Sequence, residues 1–139
     1  RCLITIDRRV LPDEHADDVV HEVEEIVDRI GKRLPNFRAT VRLVSFARPM
    51  RTAPTNPVVT AIRESTARIL GRDPGLHGWS ATCDANIHVN DGDTPAVVFG
   101  PGSMERDAHR PDESVAVGDL VTAARIYALT ALHLLDGRD

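Results

Sequence analysis

Cys2, Ile4 and Ile6 alternate with Leu3, Thr5 and Asp7, the period-two pattern of a strand over residues 2–7. The chain then turns at Leu11-Pro12-Asp13, and Pro12 and Asp13 suit a helix start. Ala16, Val19, Val20, Val23, Val27, Ile30 and Leu34 follow at three- and four-residue spacing among acids, bases and histidines. That is an amphipathic helix with one apolar stripe and one wet face. Its acids fall early (Asp13, Glu14, Asp17, Asp18) and its bases late (Arg29, Lys32, Arg33), which suits the helix dipole. Gly31 and Pro35 mark its end. Residues 38–46 alternate again, with Ala39, Val41 and Leu43 on one face. Strand, helix and strand in this order predict a right-handed crossover between parallel strands. Two strands are too few to bury a sheet face by themselves.

The character changes at residues 47–57, where Pro49, Pro54 and Pro57 stand among Arg48, Arg51, Thr52 and Asn56. This reads as an inter-domain connection. A helix is predicted from about Val58 to Leu70, with Val59, Ile62, Thr66, Ile69 and Leu70 on one side and Gly71 as its cap. Asp73-Pro74-Gly75 is a turn. Residues 76–81, with Trp79, are strand-like, and Thr82 or Asp84 is suited to cap a short helix. After the turn Asn90-Asp91-Gly92-Asp93, residues 94–99 form an apolar run of the kind buried on both sheet faces. Val117, Leu120, Val121, Ala124, Tyr127, Ala128, Ala131, Leu132 and Leu135 give the cleanest helical stripe in the chain. The second half thus predicts the edge of an α/β layered domain.

The 139 residues carry 21 acids against 17 bases, a formal net charge of −4. Together with the lack of a basic stripe among aromatics, this argues against a nucleic-acid binder, and no nucleic-acid partner is expected. No apolar run approaches the roughly 18 residues that span a bilayer, so no membrane partner is expected. The opening Arg1-Cys2-Leu3-Ile4 is strand-like and lacks the design of a signal peptide. Because it starts inside an element, a fragment of a longer protein is expected. Cys2 and Cys83 match no metal-knuckle spacing. They read as reduced thiols, with a cytoplasmic setting.

The candidate chemistry gathers in one loop. Val97-Val98-Phe99 runs into Gly100-Pro101-Gly102, and His109 follows with Glu105, Asp107, Asp112 and Glu113 near it in sequence. A rigid element that delivers such a loop is a common way to build a site. Imidazole is the commonest metal ligand among side chains, and carboxylates complete such sites. From spacing alone, a ligand, a catalytic group and a solvated histidine all stay open. Gly100-Pro101-Gly102 is a poor phosphate cradle because Pro101 has no backbone donor; its glycines permit a tight turn and close approach. Thr82-Cys83-Asp84 reads as a nucleophile with an acid or, more simply, as a helix cap. Asp7-Arg8-Arg9 is a charge cluster of small energetic weight. His15, His21 and His133 sit among polar helix positions, and His77 and His88 have no assigned role.

Taken together, these stretches resemble one family. Ile6-Asp7-Arg8-Arg9-Val10-Leu11-Pro12-Asp13-Glu14 is similar to the strand-to-helix junction in the lid domain of zinc-dependent aminoacylases and their relatives. These include acetylornithine deacetylase, succinyl-diaminopimelate desuccinylase and the carboxypeptidases of that metallopeptidase family. Thr82-Cys83-Asp84-Ala85 resembles a Thr-Ser/Thr-Asp-Ala motif of the family, with Cys83 where many relatives have Ser or Thr. Phe99-Gly100-Pro101-Gly102, Ala108-His109-Arg110-Pro111-Asp112-Glu113 and Val115-Ala116-Val117-Gly118-Asp119-Leu120 resemble its C-terminal signature.

The resemblance implies a partial ferredoxin-like lid (strand, helix, strand) at residues 1–47, a connection at 48–57, and the C-terminal edge of an α/β zinc-hydrolase catalytic domain at 58–139. It implies two zinc ions in the complete enzyme, with cobalt or manganese as alternatives, and a homodimer formed through the lid. His109 matches the family's final zinc ligand. The other ligands and the general base, an His-x-Asp pair, a bridging Asp, a Glu-Glu pair and a further carboxylate, would precede Arg1. Gly100, Gly102, Asp112, Glu113, Thr82 and Asp84 would line or support the site, with Asp112 or Glu113 orienting the imidazole. No residue matches the lid arginine that holds the substrate carboxylate in several relatives, although Arg48 and Arg51 are nearby. The implied activity is metal-dependent hydrolysis of amide bonds in N-acyl amino acids or peptides, and the isolated 139-residue chain is expected to be inactive. The rival expectations are a non-catalytic dimerisation module and a small-molecule-binding regulatory domain.

Overall fold

Four helices carry the regular secondary structure of the computed structural model, which describes residues 1–136. They are α1 (Ala16–Arg33), α2 (Pro57–Leu70), α3 (Ala85–Asn90) and α4 (Val117–Asp136). The chain divides into two units, Arg1–Arg51 and Thr52–Asp139.

The expected α/β architecture is not formed. Among the described residues there is no strand, so neither a ferredoxin-like lid nor an α/β sheet edge is present. A helix satisfies its own backbone groups, whereas a strand depends on a neighbouring strand. The alternating runs at residues 2–7 and 38–46 carry the apolar pattern of strands without pairing into a ladder. Their side chains show the consequence: Leu3 is 90% exposed, and Ile4, Ile6 and Val44 are also open to solvent. The run at 94–99 is likewise non-helical and joins no strand ladder among the described residues.

In the first unit, α1 follows its predicted stripe as far as Val27, whereas Ile30 and Leu34 are exposed. Ala16, Val19, Val20, Val23 and Val27 are half-buried, although no α1 residue is fully buried. Asp17 and Asp18 lie in the first turn and Lys32 and Arg33 in the last, in line with the helix dipole. The helix begins later than Pro12 and Asp13 suggest, because Glu14 is used before it. Its carboxylate accepts from Arg8 at 2.6 and 2.7 Å and from the backbone N–H of Leu11 at 2.6 Å. Arg8 also reaches Glu22 on α1 at 3.1 Å, and Arg51 pairs with Asp13 at 2.8 Å.

In the second unit, α2 packs on α4. Asn56 starts α2, its side chain accepting from the backbone N–H of Val58 at 3.0 Å, with Pro57 in the first turn. Gly71 ends it in the left-handed region, φ 70°. The core consists of Val59, Ala61 and Ile62 from α2 with Ala123 and Ile126 from α4, and Ile126 is only 2% exposed. Buried with them, Thr66 and Thr130 donate to the Ile62 and Ile126 carbonyls one turn back, at 2.6 and 2.8 Å. Ser65 is fully buried, and its hydroxyl has no hydrogen-bond partner among the described residues.

The stripe predicted for α4 is not its buried face. Val117 is 75% exposed, and Leu120, Val121, Tyr127, Leu132 and Leu135 are also exposed. α4 is apolar on more than one side, and the side with the smaller residues Ala123 and Thr130 beside Ile126 meets α2. Periodicity locates such a helix but does not choose between its faces.

Candidate functional site

The loop that carries His109 starts from a non-helical segment, residues 94–99, held by side chains. Thr52 donates from Oγ1 to the Ala96 carbonyl at 2.6 Å and accepts from the Ala96 N–H at 3.3 Å. A single threonine thus supplies both the partners that a neighbouring strand would offer one residue. At the other end the Tyr127 hydroxyl donates to the Phe99 carbonyl at 2.7 Å. The two rings meet edge to face, with centroids 5.3 Å apart and planes at 88°, a favoured aromatic geometry.

From Phe99 the chain turns through Gly100-Pro101-Gly102. Gly102 has φ 86°, so a side chain there would be strained; an added Cβ would also touch Val115, 3.5 Å from its Cγ2. Ser103 braces the next turn, accepting from Asp107 N–H at its carbonyl (2.9 Å) and from Arg106 N–H at its hydroxyl (3.2 Å). Arg106 pairs with Asp107 at 2.9 Å, so that carboxylate already faces a guanidinium. This neighbour raises the Arg106 pKa through its hydrogen bond and charge.

His109 itself has φ 60°, one of two non-glycine residues with positive φ among the described residues. This is an uncommon backbone state that histidine adopts more readily than most side chains. Its N–H donates to Glu113 Oε2 at 3.2 Å, and the Glu113 N–H closes a turn on the Arg110 carbonyl at 3.1 Å. Glu113 therefore fixes the backbone at His109. The imidazole is exposed, and its ring nitrogens make no hydrogen bond or ion pair among the described residues. Asp112 is exposed as well.

The sequence-predicted residues thus fall in two places. Gly100, Gly102, His109, Asp112 and Glu113 share one loop, whereas Thr82 and Asp84 lie at the entry to α3. Asp84 occupies the N-cap position of α3, but its side chain makes no capping bond. Cys83 beside it is a free, half-buried thiol, and Cys2 is a free, exposed one. Among the described residues no group of three or more His, Cys, Asp or Glu side chains is placed to hold a metal ion. One exposed imidazole is a donor and not a coordination sphere, so these residues alone do not fit a zinc site.

Periodicity and motif spacing missed Thr52 and Tyr127. Tyr127 reads as one apolar member of a helical stripe and Thr52 as a linker residue, yet both hold the segment that feeds the loop. A hydroxyl on an otherwise apolar stripe was the available signal, since a tyrosine O–H seeks a partner when its ring packs.

The second unit also contains a well-made ion pair away from this loop. Arg63 Nε donates to Asp73 Oδ1 at 2.8 Å, and Arg63 Nη2 also meets Asp73 Oδ2. Asp73 further accepts from the Gly75 N–H at 3.0 Å. These contacts, the guanidinium first, hold the Asp73 carboxyl well below the usual range. Among the described residues no helix is long and apolar enough to cross a membrane.

Residues 6–133 match the peptidase family M20/M25/M40. Acetylornithine deacetylase from Myxococcus xanthus is 28% identical over 137 residues, covering 99% of this chain and 34% of that protein. The uncharacterized protein YgeY of Escherichia coli K12 is 24% identical over 149 residues, covering 96% and 36%. A putative LysW-lysine/LysW-ornithine hydrolase from Aeropyrum pernix is 28% identical over 109 residues, covering 78% and 30%. The chain therefore spans about a third of the length of these curated relatives. No solved structure matches significantly.

Proposed function

The chain belongs to the peptidase family M20/M25/M40, and from that premise we propose that it serves a metal-dependent hydrolase of amide bonds in N-acyl amino acids or peptides. In this reading His109 is one metal ligand, and the remaining ligands and the general base belong to the two thirds of the relatives' length that this chain does not match. The observation that carries the reading is the state of His109. Its backbone is held by Glu113 at 3.2 Å in an uncommon conformation, while its imidazole is left exposed and unengaged among the described residues. A histidine that only decorates the surface gains nothing from that constraint, whereas a ligand does, because misplacement by about 1 Å can cost roughly 10²-fold in rate.

Zinc is the proposed metal, with cobalt or manganese as substitutes, since borderline divalent ions accept imidazole and carboxylate donors. Residues 1–47 form an accessory, self-associating part in this reading, and residues 58–139 the end of the catalytic part. Two free thiols, Cys2 and Cys83, support a reducing, cytoplasmic setting. The names of two relatives, a deacetylase and a putative hydrolase acting on lysine and ornithine conjugates, favour amides at amino-acid nitrogens as substrates.

The test is an assay of the complete gene product against a panel of N-acetyl amino acids and dipeptides, before and after treatment with a chelator. The reading requires release of free amino acid, its loss on metal removal and its return when zinc is restored. Turnover that survives exhaustive removal of metal contradicts it.

A further inference from the structure

The loop from residue 100 to 116 is anchored at both ends on the same helix. It ends where α4 begins, at Val117, and it starts at Phe99, whose carbonyl accepts from Tyr127 within α4. Those anchor points are about three helical turns apart, roughly 15 Å at the rise of an α-helix. The far end is covalently continuous with α4. At the near end, the Tyr127 hydroxyl and the edge-to-face contact with Phe99 are the described links from this segment to α4. Gly100 follows directly, and a Cβ there would stand 4.0 Å from the Tyr127 hydroxyl.

We propose that Tyr127 is a positioning residue for His109. Its hydroxyl sets where the apolar segment 94–99 stops and the loop begins, and hence how the Gly100-Pro101-Gly102 turn presents the histidine. Thr52 cannot take over this role, because it holds the segment at Ala96, before the last apolar residues. Nor can Phe99 alone, because a ring contact tolerates sliding that a 2.7 Å hydrogen bond does not. Among the described residues Tyr127 makes no hydrogen bond or ring contact with the imidazole, so it acts through the loop. This inference rests on the reading that His109 takes part in the reaction.

The test compares Tyr127→Phe with wild type in the complete gene product. The variant keeps the ring and loses only the hydroxyl. Amide hydrogen exchange without substrate should rise at Arg106, Asp107 and His109, whose N–H groups are hydrogen-bonded within the loop, by about 2- to 10-fold, the factor that one hydrogen bond of ordinary net strength commands. In the assay kcat should fall by a similar factor with KM unchanged, and Tyr127→Leu, which also loses the ring contact, should exceed both effects. Unchanged loop exchange in Tyr127→Phe overturns the inference. So does faster exchange with unchanged kcat in an enzyme that His109→Ala inactivates, and that result leaves the role of His109 standing. Full turnover in His109→Ala removes the reading itself and the inference with it.

Discussion

Glu113 accepts a hydrogen bond from the backbone N–H of His109 at 3.2 Å, where the histidine backbone has φ 60°. The carboxylate thus holds the chain in a conformation that most L-residues avoid, and it does so without engaging the imidazole. Replacing Glu113 by Ala removes the acceptor. The His109 amide should then exchange about 2- to 10-fold faster, while α2 and α4 keep their protection. Hydrogen exchange followed by NMR checks this, and an unchanged His109 amide would show that the turn holds itself.

Ser65 and Ile126 predict opposite results in the same helix pair. Ser65 is fully buried and its hydroxyl has no partner among the described residues, so Ser65→Ala removes a desolvated group without a compensating bond there. Its denaturation midpoint should stay level or rise. Ile126 is 2% exposed at the same interface, and Ile126→Ala should cost about 2–5 kcal/mol through lost transfer energy and a residual cavity. Urea melts of both variants measure this. A strongly destabilised Ser65→Ala would reveal a partner for that hydroxyl.

Gly92 and Gly71 differ in why they are glycine. A Cβ on Gly92 would lie 2.9 Å from the backbone oxygen of His88, so alanine there must shift the backbone that ends α3. Gly71 has open space around it, and alanine there meets only the strain of φ 70°, about 1–2 kcal/mol. Gly71→Asn should recover part of that loss because asparagine tolerates the left-handed region. Thermal melts of Gly71→Ala, Gly71→Asn and Gly92→Ala check the contrast.

Arg8 and Glu14 predict the acid behaviour of the first unit. Two hydrogen bonds from Arg8, then the backbone bond from Leu11, lower the Glu14 pKa from 4.5 to about 2. A carboxyl whose folded pKa is depressed stabilises the fold above its unfolded pKa. That contribution fades as pH falls from about 4.5 towards 2 and is gone below both values. The Glu14 carboxyl resonance should titrate near 2, and in Arg8→Met it should move up towards 4.5. A wild-type midpoint near 4.5 contradicts the pairing.

How much was legible in the sequence differs between helices and strands for a physical reason. The spacing of Val19, Val23 and Val27 locates α1, and Gly71 marks the end of α2, because a helix is written in local residues. The buried side of α4 was not legible: Val117 and Leu132 look like core residues in sequence, yet Ala123, Ile126 and Thr130 meet α2. The alternation at Ile4 and Ile6 predicts a strand that is not formed, because a strand needs a partner that alternation does not supply. At the site, motif order pointed to His109 and the glycines. The part played by Tyr127 and Thr52 depends on contacts across 28 and 44 positions of chain, which no local pattern encodes.

The most direct measurement is zinc content and turnover of His109→Asn in the complete gene product. Asparagine accepts the left-handed backbone, so the loop is kept and only the imidazole is lost. Zinc bound per chain should fall and hydrolysis of N-acyl amino acids should drop by two orders of magnitude or more, roughly the cost of a misplaced group at the reacting centre. Full zinc content with wild-type turnover would contradict the assignment of His109 as a metal ligand.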